Sequence, residues 1–242
     1  MRFLSKLFSL FVAAAFAGTI YAAEPVPASS DYMFAPEGFD DNDNVQVVLD
    51  GWLSSSCDRA VEPKVVVHPE KQVIELSAQV VHGDFLCLPV MVRFTSVADI
   101  GPLPWGKWSL VTNNGWLVDE LIIDEASNAG PDDHVYAAVD EAHVEYIPDL
   151  KDADSKWSVV LLGHFQNSCQ SFDEIKVIDS GDTVEVLPIL KVQDRGQECL
   201  QVITPYNMRA FLPDYEVEGR HLLHVRSRGG EALNKVFSVH TY

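Results

Sequence analysis

The stretch "VVLDGWLSSSC" (residues 47–57) returns almost intact as "VVLLGHFQNSC" (residues 159–169). In both copies the residues two apart read valine, leucine, glycine and then another apolar side chain. That is the period of a β-strand with one buried face. The glycine in the middle marks a bulge or a close approach of another backbone. Sliding the chain by 112 residues extends the match outward from this phrase. Pro36 falls on Pro148, Asp40 on Asp152, Lys64-Val65 on Lys176-Val177 and Cys87 on Cys199. The chain therefore reads as two units, residues 23–130 and 131–242. Their joint lies in the polar, turn-rich segment "DEASNAGPDDH" (residues 124–134).

The four cysteines repeat the same step, Cys57 to Cys87 and Cys169 to Cys199. An even count and a duplicated spacing predict one disulfide per unit, Cys57–Cys87 and Cys169–Cys199, because any other pairing breaks the repeat. Closing a loop of that size stabilises a fold by about 3–4 kcal/mol in the chain-entropy account. No Cys-x-x-Cys is present, which argues against redox chemistry. Elsewhere the alternation continues: Ile74, Leu76, Ala78 and Val80 interleave with Glu75, Ser77 and Gln79. Clusters such as "NNG", "DSGD" and "RGG" punctuate the strands. The expected fold is all-β, two tandem antiparallel β-sandwiches with one disulfide each. In this architecture the halves resemble the tandem Ig-like repeats of secreted bacterial proteins. They lack the tryptophan that true Ig domains carry on the strand after the first cysteine.

The opening residues carry Arg2 and Lys6, an apolar run from Leu7 to Ala17, and small residues at Ala22-Ala23. This is the layout of a secretory signal peptide over residues 1–22, removed on export to the periplasm or the outside. No other stretch is apolar enough to span a membrane as a helix. The full chain holds 36 acidic against 17 basic residues, a net charge of −19. Such a surface repels phosphate backbones and excludes nucleic acid as a partner. Its hydrophobic fraction of 47% is ample for packed cores.

Three features are candidates for chemistry. The segment "DDNDN" (residues 40–44) resembles the Asp-x-Asn-Asp-Asn calcium motif of cadherin-type linkers. That resemblance implies calcium held by Asp40, Asn42 and Asp43. In cadherins the motif joins two domains, whereas here it opens the first unit, and the repeat copy "DADSK" (residues 152–156) places Lys156 opposite Asn44. The alternative is a solvated acidic loop. Trp105, Trp108 and Trp116 cluster in one stretch of the first unit and are absent from the second. Turn residues beside Trp105 and Trp116 suggest exposed rings for sugar or peptide stacking; the alternative is core packing. The serines of "SSSC" sit at a strand end, where serine is normally a turn residue, and no Gly-x-Ser-x-Gly elbow exists. His221 and His224 lie three apart in a strand and face opposite ways, so they cannot share a metal.

With no catalytic constellation in view, the expected function is an exported, non-enzymatic binding protein whose ligand is a protein or a glycan. The alternatives are a peptidase inhibitor, with "IGPLPWGKW" (residues 100–108) as its loop, and a hydrolase with an unrecognised site.

Overall fold

The computed structural model describes residues 24–83, 86–113, 115–148, 156–191, 196, 198–215 and 218–240. The segment expected to be a leader (residues 1–22) and most of "DADSK" lie outside the described residues. The first half contributes β1 (Val26–Ala28), β2 (Tyr32–Phe34), β3 (Phe39–Asp40), β4 (Val45–Leu53), β5 (Arg59–His68), β6 (Val73–Val81), β7 (Val92–Gly101), β8 (Gly106–Thr112) and β9 (Leu117–Asp124). The second contributes β10 (Ala138–Tyr146), β11 (Trp157–Phe165), β12 (Phe172–Asp179), β13 (Thr183–Leu190), β14 (Thr204–Phe211), β15 (Gly219–Arg226) and β16 (Ala232–Val239). Among the described residues the only helical element is a single 3₁₀ turn, Pro69–Lys71, and no helix is long and apolar enough to cross a membrane.

The all-β sandwich expectation holds. In the first half, β2-β4-β7 form one sheet, and β5, β6, β8 and β9 form the other, with β1 and β3 as short additions. In the second half, β10-β11-β14 face β12-β13-β15-β16. The purely antiparallel expectation is corrected at three pairs: β3 with β9, β6 with β8 and β13 with β15 run parallel. The cause is topological. After β6 the chain crosses to the opposite sheet as β7 and returns, so β8 runs the same way as β6. The second half repeats this with β13, β14 and β15.

The duplicated phrase is the inner strand of each three-stranded sheet, β4 and β11. Val45, Val47 and Leu49 are buried in a core with Ile74, Leu76, Trp108 and Leu110 of the facing sheet. Val159 and Leu161 are buried in a second core with Val184, Val186, Leu223 and Val225. Both glycines mark close approaches. A Cβ on Gly51 would lie 2.9 Å from the Phe94 ring and 3.0 Å from the Ser29 carbonyl. One on Gly163 would lie 2.2 Å from the Ala138 carbonyl and 2.4 Å from the Tyr206 hydroxyl.

The two halves pack sheet on sheet. Residues of β4 between the core positions point outward, and there Val48 joins Phe34 and Leu222 in a small buried cluster flanked by Val97 and Val236. The outer face of β2-β4-β7 thus lies on the outer face of β15 and β16, and all four sheets form one stack. Along this contact Asp43 meets Arg226, Gln46 meets Asn234, and Asp50 meets Arg220. As β4 ascends, β15 descends. Since β15 is parallel to β13, which leads toward Cys199, and β4 leads toward Cys57, the disulfide loops project from opposite ends of the stack.

Candidate functional site

Both disulfides form as the repeat predicts, Cys57–Cys87 and Cys169–Cys199, with Cα–Cα separations of 5.4 and 5.6 Å. Each belongs to a larger clamp that is duplicated atom for atom. The Ser56 N–H donates to the Leu88 carbonyl at 3.0 Å, and the Leu88 N–H donates to Ser56 Oγ at 2.9 Å. In the second half the Ser168 N–H donates to the Leu200 carbonyl and the Leu200 N–H to Ser168 Oγ, both at 3.0 Å. Val90 and Val202 then turn back onto the same leucine carbonyls at 2.9 Å. The retained serine of "SSSC" and "QNSC" is therefore a backbone clamp, not a nucleophile.

The clamp holds out apolar side chains. Leu88 is 61% exposed and its counterpart Leu200 is 70% exposed. Leu86, Val90 and Met91 flank the first, and Val202 and Ile203 the second, all exposed. A large aliphatic residue fixed in the open by two backbone hydrogen bonds and a disulfide is unusual, because a leucine free to move would be expected to fold inward. Sequence reading missed these positions. The signal was present: Cys-Leu-x-Val occurs at residues 87–90 and again at 199–202.

The tryptophans separate into different roles. Trp108 alternates with Leu110 on the inward face of β8, is fully buried, and donates its ring N–H to the Pro104 carbonyl at 2.9 Å. It is a core residue, unavailable to a ligand. Trp105 and Trp116 are 64% and 74% exposed, but the whole length of β8 lies between them. They do not form one platform. In "IGPLPWGKW", Leu103 is buried and Pro104 is tied to Trp108, so this segment is anchored along much of its length.

"DDNDN" is tied by hydrogen bonds within the first half, and its Asp43 reaches across to the second. The Asp40 N–H donates to Asp43 Oδ2, the Asn42 N–H to Asp40 Oδ1, and Asn42 Nδ2 to the Asn128 carbonyl. Asp43 is buried against the guanidinium of Arg226, with contacts of 3.0 and 3.2 Å, and Arg226 also reaches the Gly38 carbonyl and covers the Phe39 ring. Burial nevertheless raises the Asp43 carboxyl above its ordinary range, against the lowering effect of Arg226. Of the three residues named for calcium, Asp43 has the Arg226 guanidinium beside it, while Asp40 and Asn42 are held by local and joint hydrogen bonds. Among the described residues no group of three or more His, Cys, Asp or Glu is arranged to hold a metal ion.

Further polar groups line the contact between the halves. Asp50, fully buried, accepts from Arg93, Thr95 and Arg220. Burial pushes its carboxyl up, and these hydrogen bonds more than reverse the effect, leaving it below the ordinary range. Glu185 is buried beneath the Glu37-Gly38 turn with Oε1 unpartnered, and burial pushes it up to about 7. His224, packed edge-on to Phe39, bonds Asn234 through Nδ1 at 2.7 Å, and burial pushes it down to about 4. His221 lies on the other side of β15 against Tyr215 and Phe237, as the strand period requires.

No protein-family model, no curated protein and no solved structure matches the chain.

Proposed function

We propose that this chain is an exported, non-enzymatic binding protein that engages a protein partner through two clamped apolar loops, residues 86–91 and 198–203. The observation that carries the reading is the duplication of the clamp. Core positions such as Val47 and Val159 are retained because they are buried. Leu88 and Leu200 are exposed, and packing alone gives no reason to keep them, their serine clamp and their disulfide in both halves. Aliphatic side chains fit an apolar recess on a protein, whereas a glycan site is usually built on an aromatic ring. The leader at residues 1–22 and the two disulfides fit an oxidising compartment.

The test is photo-crosslinking with a benzophenone side chain placed at position 88 or 200 of the full chain, in the native envelope. One and the same protein joined from both positions, and not from Lys71 at the far end of the first half, supports the proposal. Absence of any adduct specific to the loops contradicts it. A second reading, peptidase inhibition, draws on the same loops, since an exposed segment pinned at both sides is what an inhibitor presents. It predicts slow, tight inhibition of a peptidase preferring leucine, abolished by Leu88→Asp combined with Leu200→Asp.

A further inference from the structure

A cleft of about 570 Å³ opens where the joint between the halves meets the second half. It is bounded by the joint (Asn128 to Tyr136), by Asp173 of β12, by the end of β13 and by Arg228 in the β15–β16 turn. Its lining shares no residue with either clamped loop. One wall is apolar, made by Val135, Tyr136, Ile189 and Leu190. The other is polar and mainly acidic, with Asp132, Asp133 and Asp173 set against Arg228 and beside His134 and Asn128.

The acidic wall is not all structural. Asp132 is, because its two oxygens accept the Gly229 and Gly230 N–H groups at 2.8 Å each. Asp133 and Asp173 make no hydrogen bond or ion pair with the described residues. Asp133 also lies in the field of Asp40 and Asp43, and the nearby Arg226 is already bound to Asp43. The independent observation is Tyr136. It is only 4% exposed, its ring packs with Leu187 and Ile189, it lines the cleft, and its hydroxyl makes no hydrogen bond among the described residues. The ring is buried but the hydroxyl is not shut away from solvent, so a water or a ligand group in the cleft can bond it.

We infer that this cleft binds a primary ammonium group on an aliphatic stem. An ammonium carries three N–H donors, and among the described residues the cleft offers three acceptors with no protein partner: the Asp133 and Asp173 carboxylates and the Tyr136 hydroxyl. The apolar wall receives the methylenes. A hard divalent cation is less suited, since it wants several oxygens wrapped around it rather than an apolar wall on one side. Two sources share this chemistry, a free alkylamine and the side chain of a lysine within a peptide. The inference does not depend on the leucine loops and stands or falls separately.

The experiment is an amide-resolved NMR titration of the mature chain at pH 7.5 with three probes: pentylammonium, Nα-acetyl-lysine methylamide and butylguanidinium. Sodium chloride at matched ionic strength is the reference. Saturable shifts are expected to centre on residues 132–136, 173 and 189–190. Tyr136→Phe weakens binding roughly fivefold through the lost hydrogen bond, and Asp133→Asn with Asp173→Asn abolishes it. Leu88→Asp with Leu200→Asp leaves it unchanged. If the lysine derivative binds at least as tightly as pentylammonium, the source is a peptide lysine; if only pentylammonium binds, it is a free amine. Shifts no larger than those from sodium chloride overturn the inference. So does undiminished binding by the well-folded Tyr136→Phe and Asp133→Asn/Asp173→Asn variants, or equal binding of butylguanidinium.

Discussion

Asp50 and Arg220 meet across the face between the two halves, Nη2 to Oδ1 at 3.0 Å, with Asp50 fully buried and also bound by Arg93 and Thr95. The corresponding position in the second half is Leu162, on the outward face of the last sheet of the stack. One copy of the repeat has thus acquired a charge that its sister lacks, and the charge has its partner in that sister. Removing Asp50 strands two guanidinium groups. Asp50→Ala is expected to destabilise the chain by about 3–5 kcal/mol, while Asp50→Leu combined with Arg220→Met loses less than the sum of the single changes. Urea unfolding of the four-member cycle measures the coupling.

Two buried groups on this face set opposing pH dependences. Glu185, raised to about 7 by burial, keeps its proton in the folded state over a range where the unfolded chain has lost it. Its contribution is complete below about pH 4.5 and declines as pH rises to about 7. His224, lowered to about 4 by burial, stays neutral when folded while the unfolded imidazole is charged below about 6.5. Its contribution is complete above about pH 6.5 and is lost as pH falls toward 4. Between about pH 4.5 and 6.5 the two slopes cancel. Glu185→Gln should therefore make stability rise with pH across this window more than it does in the parent chain, by at most about 1.4 kcal/mol per unit. Thermal melts from pH 4 to 8 check it; a variant profile parallel to that of the parent chain counts against the assignment.

Gly51 and Gly163 test the close approaches. Gly163→Ala drives a methyl group into the Ala138 carbonyl and the Tyr206 hydroxyl, which bond each other at 2.8 Å. It should cost about 3 kcal/mol or more, as overpacking does. Gly51→Ala meets its neighbours at 2.9 Å and beyond, one of them a phenylalanine ring edge, and should cost less. Chemical denaturation of both variants gives the order, and a harmless Gly163→Ala would refute the reading.

The cysteine clamps should separate stability from display. Replacing Cys169 and Cys199 with serine is expected to cost about 3–4 kcal/mol. Ser168→Ala removes only the bond to the Leu200 N–H, about 1 kcal/mol, and should leave the melting temperature nearly unchanged. It should nevertheless increase cleavage after Leu200 in limited proteolysis, because the loop loses one of its two backbone ties.

What the chain reveals before folding divides along a physical line. Alternation along β4 and β11, the two glycines and the cysteine pairs were legible because a strand's period, a core and a staple repeated in each half are features of each copy alone. Trp108 was legible in principle too, since it alternates with Leu110. The contact between the halves was not. Asp43 finds Arg226 at a separation of 183 residues and Asp50 finds Arg220 at 170. Nothing local distinguishes an acid awaiting such a partner from one that binds calcium or faces water, and "DDNDN" was open to all three readings. The parallel pairs escaped for a similar reason: alternation gives the face of a strand and says nothing of its direction.

In the proposed function, Leu88 and Leu200 present two equivalent contact points at opposite ends of one stack. The most direct measurement is the mass of the complex formed with the crosslinked partner, by mass photometry. The parent chain should bind two copies of that partner. Leu88→Asp or Leu200→Asp should each reduce this to one, and the double variant should bind none while melting like the parent. A complex whose mass is the same for the parent and the double variant would contradict the claim.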